Sequence, residues 1–250
     1  MKSDPLVLNN ILSAVKVRAT YGVPRVTAIV NRTRRAEGHC RWNVKRIERV
    51  MKINKLILPK SGSRKEREHK GVIITLKSNL RYCSDIFEFN CWDGGKIRVA
   101  FSLDCHDREA MSFVAEPRPL NHHDIIKLMD KTVFQRFGEV EKLPQVTQWL
   151  SDQGPQYICE DTKLYAKSWG FEPITTPAYS PESNGMAEAF VKLFKRDYVY
   201  VNELWTVESV MRQIPLWFDD YNRNHPHSGL NFKSPLEYRE DIELSNQLSV

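Results

Sequence analysis

Two carboxylates stand where phosphodiester chemistry could use them. Asp152 follows a short apolar run, WLS, that predicts the end of a strand, and Glu188 lies in a stretch whose apolar residues repeat at a helical step. Thirty-five residues separate the two. Carboxylates that converge from different elements can hold Mg²⁺, which prefers oxygen ligands and stabilises the attacking and leaving oxygens of a displaced phosphate. Taken singly, Asp152 could instead cap a turn, and Glu188 could pair on the helix surface with Lys192.

The elements that must position these side chains alternate between strand and helix. A three-strand meander is followed by helix, strand, helix, strand and helix, which is the order of an RNase H-like α/β domain. The predicted strands cover residues 82–89, 96–103, 111–114, a short run ending at Asp152, and 171–175. The predicted helices cover residues 121–137, 162–169, a stretch from about 182, and 207–222. Pro215 falls inside the last of these helices and predicts a kink or break.

A third carboxylate on the meander would complete a metal site. The residues alone leave two candidates for it: Asp85 in the first strand and Asp104 at the end of the second. Asp93 and Asp107 are weaker candidates because they fall in predicted turns, where aspartate is common for backbone reasons.

Three segments resemble the D, D, 35-spaced E set of retroviral-type integrases: SDIFEF with Asp85, SDQGPQY with Asp152, and SPESNGMAEAFVKLFKRDY with Glu188. They are more closely similar to the second-reading-frame (OrfB) transposases of bacterial insertion sequences, and the closing YNRNHPHSGLNFKSPLEY block shares this resemblance. The resemblance implies an integrase core with a mixed five-stranded sheet. It also implies that Asp85, Asp152 and Glu188 are catalytic ligands of two Mg²⁺ or Mn²⁺ ions in DNA cleavage and strand transfer.

Several residues near Glu188 are predicted to contact DNA. Lys195 lies seven residues beyond Glu188, about two helical turns, on the same face. The resemblance implies that it holds the terminal DNA, with Lys192 as the second candidate. Asn184 stands at the start of the helix, where backbone N–H groups could lie near a phosphate.

The first 70 residues carry a strong positive charge. They hold 18 Lys/Arg and 5 Asp/Glu, a net charge of +13, while the remaining residues hold 19 and 26, a net charge of −7, for a total of +6. Three short helices are predicted here, and Lys45, Arg46 and Arg49 point outward from the last of them. This pattern is typical of a helix-turn-helix unit that binds DNA. A small helical bundle with a solvated basic face is the alternative.

The predicted organisation has four parts. A basic helix-turn-helix-like domain spans 1–58, a charged linker 59–76, the RNase H-like catalytic domain 77–240, and a frayed tail 241–250. No apolar run is long enough for a membrane span, and five scattered cysteines without a C-x₂-C pair indicate reduced thiols. We therefore expect a cytoplasmic, nucleoid-associated bacterial protein.

The expected partners are DNA at the element ends and at the target, and a second copy of the chain. The resemblance adds the upstream OrfA product, or a fusion with it. Two other functions stay open: a nuclease or resolvase of the same fold, and a non-catalytic DNA-binding regulator derived from a transposase.

Overall fold

The computed structural model describes residues 4–57, 59, 75–176 and 184–247, and its contacts divide the chain into two compact units. One unit comprises Met1–Glu68 with Arg223–Val250, and the other comprises His69–Asn222. The sequence analysis assigned residues 223–240 to the catalytic domain. The contacts instead group this stretch with the N-terminal helices.

The elements follow the predicted alternation. The helices are α1 (Pro5–Val17), α2 (Val23–Ala36), α3 (Val44–Ile53), α4 (His122–Phe137), α5 (Pro155–Ile158), α6 (Glu160–Trp169), α7 (Gly185–Phe194), α8 (Val207–Asn224) and α9 (Pro235–Gln247). The strands are β1 (Arg81–Asn90), β2 (Lys96–Asp104), β3 (Ala110–Glu116), β4 (Thr147–Ser151) and β5 (Phe171–Thr175).

The five strands form one mixed sheet in the order β3-β2-β1-β4-β5. The meander β1-β2-β3 is antiparallel, and β4 pairs in parallel with both β1 and β5. The predicted mixed five-stranded sheet with helices is therefore confirmed. Parallel neighbours need a crossover connection, which α4 and α6 supply.

Each face of the sheet packs against a different set of helices. Along β1, Cys83 and Phe87 lie in the core shared with α7 and α8, whereas Tyr82 and Ile86 lie in the core shared with α4 and α6. This alternation is the period of two that a strand imposes. A stack of aromatic rings anchors α7, with Phe190 at 4.4 Å from Phe101 between ring centroids.

The α7 helix does not continue as a plain α-helix. A π-helical turn, Lys195–Val199, follows directly after Phe194. Single π turns of this kind occur often at functional sites, and they change the direction of the side chains that follow. The sequence pattern did not predict this turn.

The C-terminal third differs from the expectations at two places. The α8 helix is one continuous element with Pro215 inside it, so, of the predicted kink or break, the break does not occur. A proline cannot donate a backbone hydrogen bond within the helix. The apolar surface that Ile214, Trp217 and Phe218 bury on the same helix compensates for this loss. The predicted frayed tail after Glu240 is also helical, because α9 extends to Gln247.

Within the N-terminal unit, α1, α2 and α3 pack around a small apolar core. Side chains of Asp4 and Asn43 cap α1 and α3 by accepting backbone N–H bonds, at 3.4 Å from Val7 and 2.9 Å from Lys45. Its largest buried residues include Tyr21, Ile47 and Met51. No helix in the part of the chain that the structure describes is long and apolar enough to cross a membrane.

Candidate active site

The positions of Asp85 and Asp152 follow from the pairing of β1 with β4. The last registered pair of these parallel strands is Cys83 with Leu150, and both side chains lie in the core beneath α7. Asp85 and Asp152 each come two residues later. Asp85 lies within β1, where the alternation of a strand directs its side chain to that same face, and Asp152 lies in the turn directly after β4. Both residues therefore lie near the carboxyl end of β4.

The Glu188 side chain approaches this face from α7. Ala187, Phe190 and Phe194 bury the inner side of the helix against the sheet, and α7 contacts β1. Glu188 is half-buried, and one of its carboxylate oxygens lies 3.6 Å from Lys192 Nζ. The sequence analysis gave a surface pair of Glu188 with Lys192 as the alternative to a metal site. That pair is present, on the helix that packs against the sheet.

Asp152 also makes the local contact that its turn suggested. Its Oδ1 accepts a hydrogen bond from the Gly154 backbone N–H at 3.0 Å. The side chain is nevertheless exposed, so its other oxygen faces solvent. Capping the turn holds the carboxylate without burying it.

Electrostatic effects show that the three carboxylates share one neighbourhood. The pKa of Asp85 is raised to about 6, mainly by burial and also by the negative charges of Asp152 and Glu188, whereas the Ile86 N–H and Lys195 oppose the shift. Among the described residues, however, no three His, Cys, Asp or Glu side chains lie close enough to hold one metal ion. The three carboxylates thus influence one another electrostatically but are not close enough together to bind one metal ion in common.

Comparisons with known proteins bear on this arrangement. Models described as "Integrase core domain" match residues 76–181 and 170–235, and one described as "HTH-like domain" matches residues 4–64. "Transposase InsD for insertion element IS2A/D/F/H/I/K" of Escherichia coli is 38% identical over 238 residues, covering 94% of this chain and 78% of the relative. This chain belongs to the insertion-sequence transposases. The resemblance on which the family was predicted is confirmed.

Further comparisons support the same family and fold. "Transposase InsD for insertion element IS2-9" of Escherichia coli (strain K12) is also 38% identical, over 94% of this chain and 77% of the relative. The intasome of simian T-cell lymphotropic virus, solved with PP2A regulatory subunit B56 gamma, aligns with a TM-score of 0.54 at 15% identity over 83% of this chain and 69% of that chain. The fold is therefore the RNase H-like integrase fold. The protein is a DNA transposase, of a family whose members are generally polynucleotidyl transferases.

Lys195, directly after α7, acts electrostatically on Asp85. It is half-buried at the start of the π turn, its Nζ lies 5.8 Å from the centroid of the Phe87 ring, and its charge lowers the pKa of both Asp85 and Glu88. Lys192 is far more exposed, at 70% of its side chain. The two lysines therefore differ in exposure. The sequence spacing ranked Lys195 before Lys192 as a DNA contact but did not indicate this difference.

Asn184 lies directly before α7 and is buried. Its side chain makes no capping bond to the helix, and its Oδ1 has no hydrogen-bond partner in the described structure. An unpaired buried amide oxygen is costly, so this position holds an unused acceptor beside the helix that carries Glu188.

Asp104, the rival of Asp85, is bound into a buried ion network. Arg136 donates to Asp104 at 3.0 Å, to Asp107 at 2.8 Å and to Glu109 at 2.8 Å, and all four side chains are almost fully buried. The pKa of Asp104 is raised to about 6, mainly by burial and also by the Asp107 charge, while Arg136 opposes the shift. Asp104 thus has a structural role at the turn between β2 and β3.

The three basic residues predicted on α3 of the helix-turn-helix-like unit are exposed, but they are not equivalent. Arg46 binds the Asp4 carboxylate at 2.8 Å through Nε, and its guanidinium lies 5.3 Å from the Trp42 ring centroid. It therefore ties α3 to the cap of α1. Lys45 and Arg49 are exposed on the same helix.

Proposed function

We propose that Asp85, Asp152 and Glu188 are the catalytic residues of a DDE-type transposase, which cleaves a DNA strand at an element end and joins the freed 3′-hydroxyl to a target phosphate. The observation that supports this proposal best is the position of Asp85 and Asp152 in the chain. Each comes two residues after one member of the paired residues Cys83 and Leu150, and Glu188 lies on α7, which packs on the same face of the sheet as that pair.

The donor chemistry of this site fits hard divalent cations. Its three carboxylates offer oxygen ligands only. Burial, together with the charges of Asp152 and Glu188, raises the pKa of Asp85, and a bound dication would favour its ionised form. Asp85, Asp152 and Glu188 would hold two Mg²⁺ or Mn²⁺ ions. When bound, such ions lower the pKa of an attacking water or hydroxyl and neutralise the leaving oxygen.

The remaining residues of the core would bind and orient the DNA. The Lys195 charge lowers the pKa of Asp85, which supports a role for its ammonium in holding a phosphate close to the carboxylates. Lys192 would add a more exposed phosphate contact. Asn184 would contribute at the start of α7, where backbone N–H groups can donate to a phosphate.

The basic N-terminal unit would hold the DNA outside the core. Lys45 and Arg49 are exposed on α3, and each phosphate that they neutralise adds salt-sensitive affinity. Two element ends must be handled together in transposition, which favours a homo-oligomer on DNA. We also propose the upstream OrfA product, separate or fused, as a partner, in the cytoplasm of a bacterium and associated with its nucleoid.

A strand-transfer assay tests the proposed function. Labelled oligonucleotides carrying the DNA that flanks the gene are incubated with Mg²⁺ or Mn²⁺ and the wild-type protein, with and without the upstream product. Glu188→Gln keeps the shape of the side chain and removes its charge, and we expect it to abolish cleaved and joined products. Glu139→Gln is the matched control, since Glu139 is exposed after α4, which packs on the opposite face. It should retain wild-type activity.

The same assay separates the other two functions. Cleavage without joining would assign the protein to the nucleases of this fold. Salt-sensitive DNA binding without any reaction, even with the upstream product present, would assign it to the regulators. Strand transfer that survives in Glu188→Gln would refute the proposed catalytic residues.

A further inference from the structure

The backbone hydrogen bonds between β1 and β4 do not by themselves fix the distance between Asp85 and Asp152. The registered pairs of β1 with β4 end at Cys83–Leu150, so both carboxylates lie beyond those pairs. Asp152 is already outside β4, in the turn that leads to α5. A transposase core that uses these two carboxylates together needs another contact to hold that turn against β1.

The Tyr157 hydroxyl makes such a contact. It lies 2.7 Å from the Ser84 Oγ, and both side chains are buried, with 4% of Tyr157 and none of Ser84 exposed. Ser84 immediately precedes Asp85, and Tyr157 stands on α5 directly after the turn of Asp152. The hydrogen bond therefore joins the chain segment of one carboxylate to that of the other.

The turn between Asp152 and Tyr157 is tight. A Cβ added to Gly154 would lie 3.0 Å from Asp152 Oδ1 and 3.5 Å from a ring carbon of Tyr157. The Gly154 N–H also donates to Asp152. Asp152 and Tyr157 therefore both lie close to Gly154, and a larger residue at position 154 would have to displace the Asp152 carboxylate.

The tyrosine is held as a neutral group close to the carboxylates. Burial raises the pKa of Tyr157 strongly, the bond with Ser84 opposes this, and the charges of Asp85 and Asp152 raise it further. A neutral hydroxyl can donate or accept a hydrogen bond without adding charge to the site.

We propose that Tyr157, through its hydrogen bond with Ser84, is a positioning residue that sets the separation of Asp85 and Asp152 for divalent-metal binding. The inference rests on the proposed function of these carboxylates. Some residues orient a metal ligand without binding the metal themselves. Their removal commonly lowers metal affinity or activity by about 10–100-fold.

The test compares Tyr157→Phe with a matched control, Tyr165→Phe. Both variants keep the ring and lose one hydroxyl; that of Tyr165 donates to Asp130 at 2.6 Å, between α6 and α4. The readouts are Mn²⁺ binding to the free protein by electron paramagnetic resonance, and the Mn²⁺ dependence of strand cleavage. We expect about a tenfold higher Mn²⁺ concentration at half-saturation for Tyr157→Phe, with the KM for DNA unchanged and Tyr165→Phe within about twofold of wild type.

Ser84→Ala removes the same hydrogen bond from its other side and serves if Tyr157→Phe does not fold. In the positioning model, Ser84→Ala and the double variant both show the weakened Mn²⁺ binding of Tyr157→Phe, because each removes the same contact. Unchanged Mn²⁺ binding in a folded Tyr157→Phe or Ser84→Ala protein overturns the inference and leaves the proposed function intact. Metal-independent cleavage by the wild type, or full activity of Glu188→Gln, would instead refute the proposed function, and this inference with it.

Discussion

The Tyr21 hydroxyl lies 2.6 Å from Nδ1 of His225, which joins the two ends of the chain within the N-terminal unit. The two rings also meet edge to face, with centroids 5.4 Å apart. A second link is formed by Arg32, which binds Glu237 on α9 at 2.5 Å. The helix-turn-helix-like unit is therefore built from residues that are about 200 positions apart in sequence.

This relationship predicts a measurable loss of stability in Tyr21→Phe. The change keeps the ring and removes one buried hydrogen bond, so we expect the free energy of unfolding to fall by about 1 kcal/mol. Urea unfolding followed by circular dichroism measures it. Tyr200→Phe is the control, because Tyr200 is 69% exposed, and it should change stability by less than about 0.5 kcal/mol. Equal stability of the two variants would contradict a structural role for the Tyr21 hydroxyl.

The buried Asp104 predicts a particular dependence of stability on pH. Its pKa in the folded protein is about 6, above the ordinary 3.8, so the folded state binds a proton more tightly than the unfolded state. The free energy of unfolding should therefore fall as the pH rises from about 4 to about 6, and level off above that. Asp85 contributes in the same direction.

Asp104→Asn tests this dependence. The variant cannot titrate at that position, so urea unfolding between about pH 4 and pH 7 should show a shallower fall than the wild type. Glu139→Gln, an exposed acid, should keep the wild-type slope. The slope is compared because the substitution also changes absolute stability. Identical slopes in Asp104→Asn and wild type would show that Asp104 does not titrate in this range.

Local sequence patterns predicted the sheet and its helices but could not choose between Asp85 and Asp104. Both follow strand-forming residues of the meander, so their local signals are alike. The difference lies in Arg136, which is 32 residues from Asp104 and engages it in the core. A contact between residues so far apart in the chain leaves no pattern in the local sequence. The preference for Asp85 therefore came from the family resemblance.

The C-terminal helix shows the same limit. The sequence predicted a frayed tail after residue 240, whereas most of that stretch belongs to α9. Arg32 binds Glu237 on this helix, from 205 residues away in the sequence. The role of Tyr157 was missed for a related reason, since its partner Ser84 is 73 residues away. The signal available was its position just after Asp152 in the run DQGPQY.

The different environments of Lys195 and Lys192 predict different effects on DNA binding. Lys195→Ala should weaken binding of element-end DNA and slow cleavage, because Lys195 is half-buried and its charge lowers the pKa of Asp85. Lys192→Ala should have a smaller effect, since Lys192 is 70% exposed and already paired with Glu188. Binding is measured by fluorescence anisotropy over a range of salt concentrations. Equal losses in the two variants would contradict a special role for Lys195.

The exposed face of α3 gives the last prediction. Lys45→Ala and Arg49→Ala should each weaken DNA binding and reduce the salt dependence of log K by about one phosphate contact, with no loss of stability. Arg46→Ala should instead lower the melting temperature of the protein, because it frees the Asp4 carboxylate and removes a guanidinium from the Trp42 ring. Anisotropy and thermal unfolding on the same three variants separate the two roles. Loss of stability in Lys45→Ala, or an unchanged salt slope in both Lys45→Ala and Arg49→Ala, would show that this face of α3 does not bind the DNA backbone.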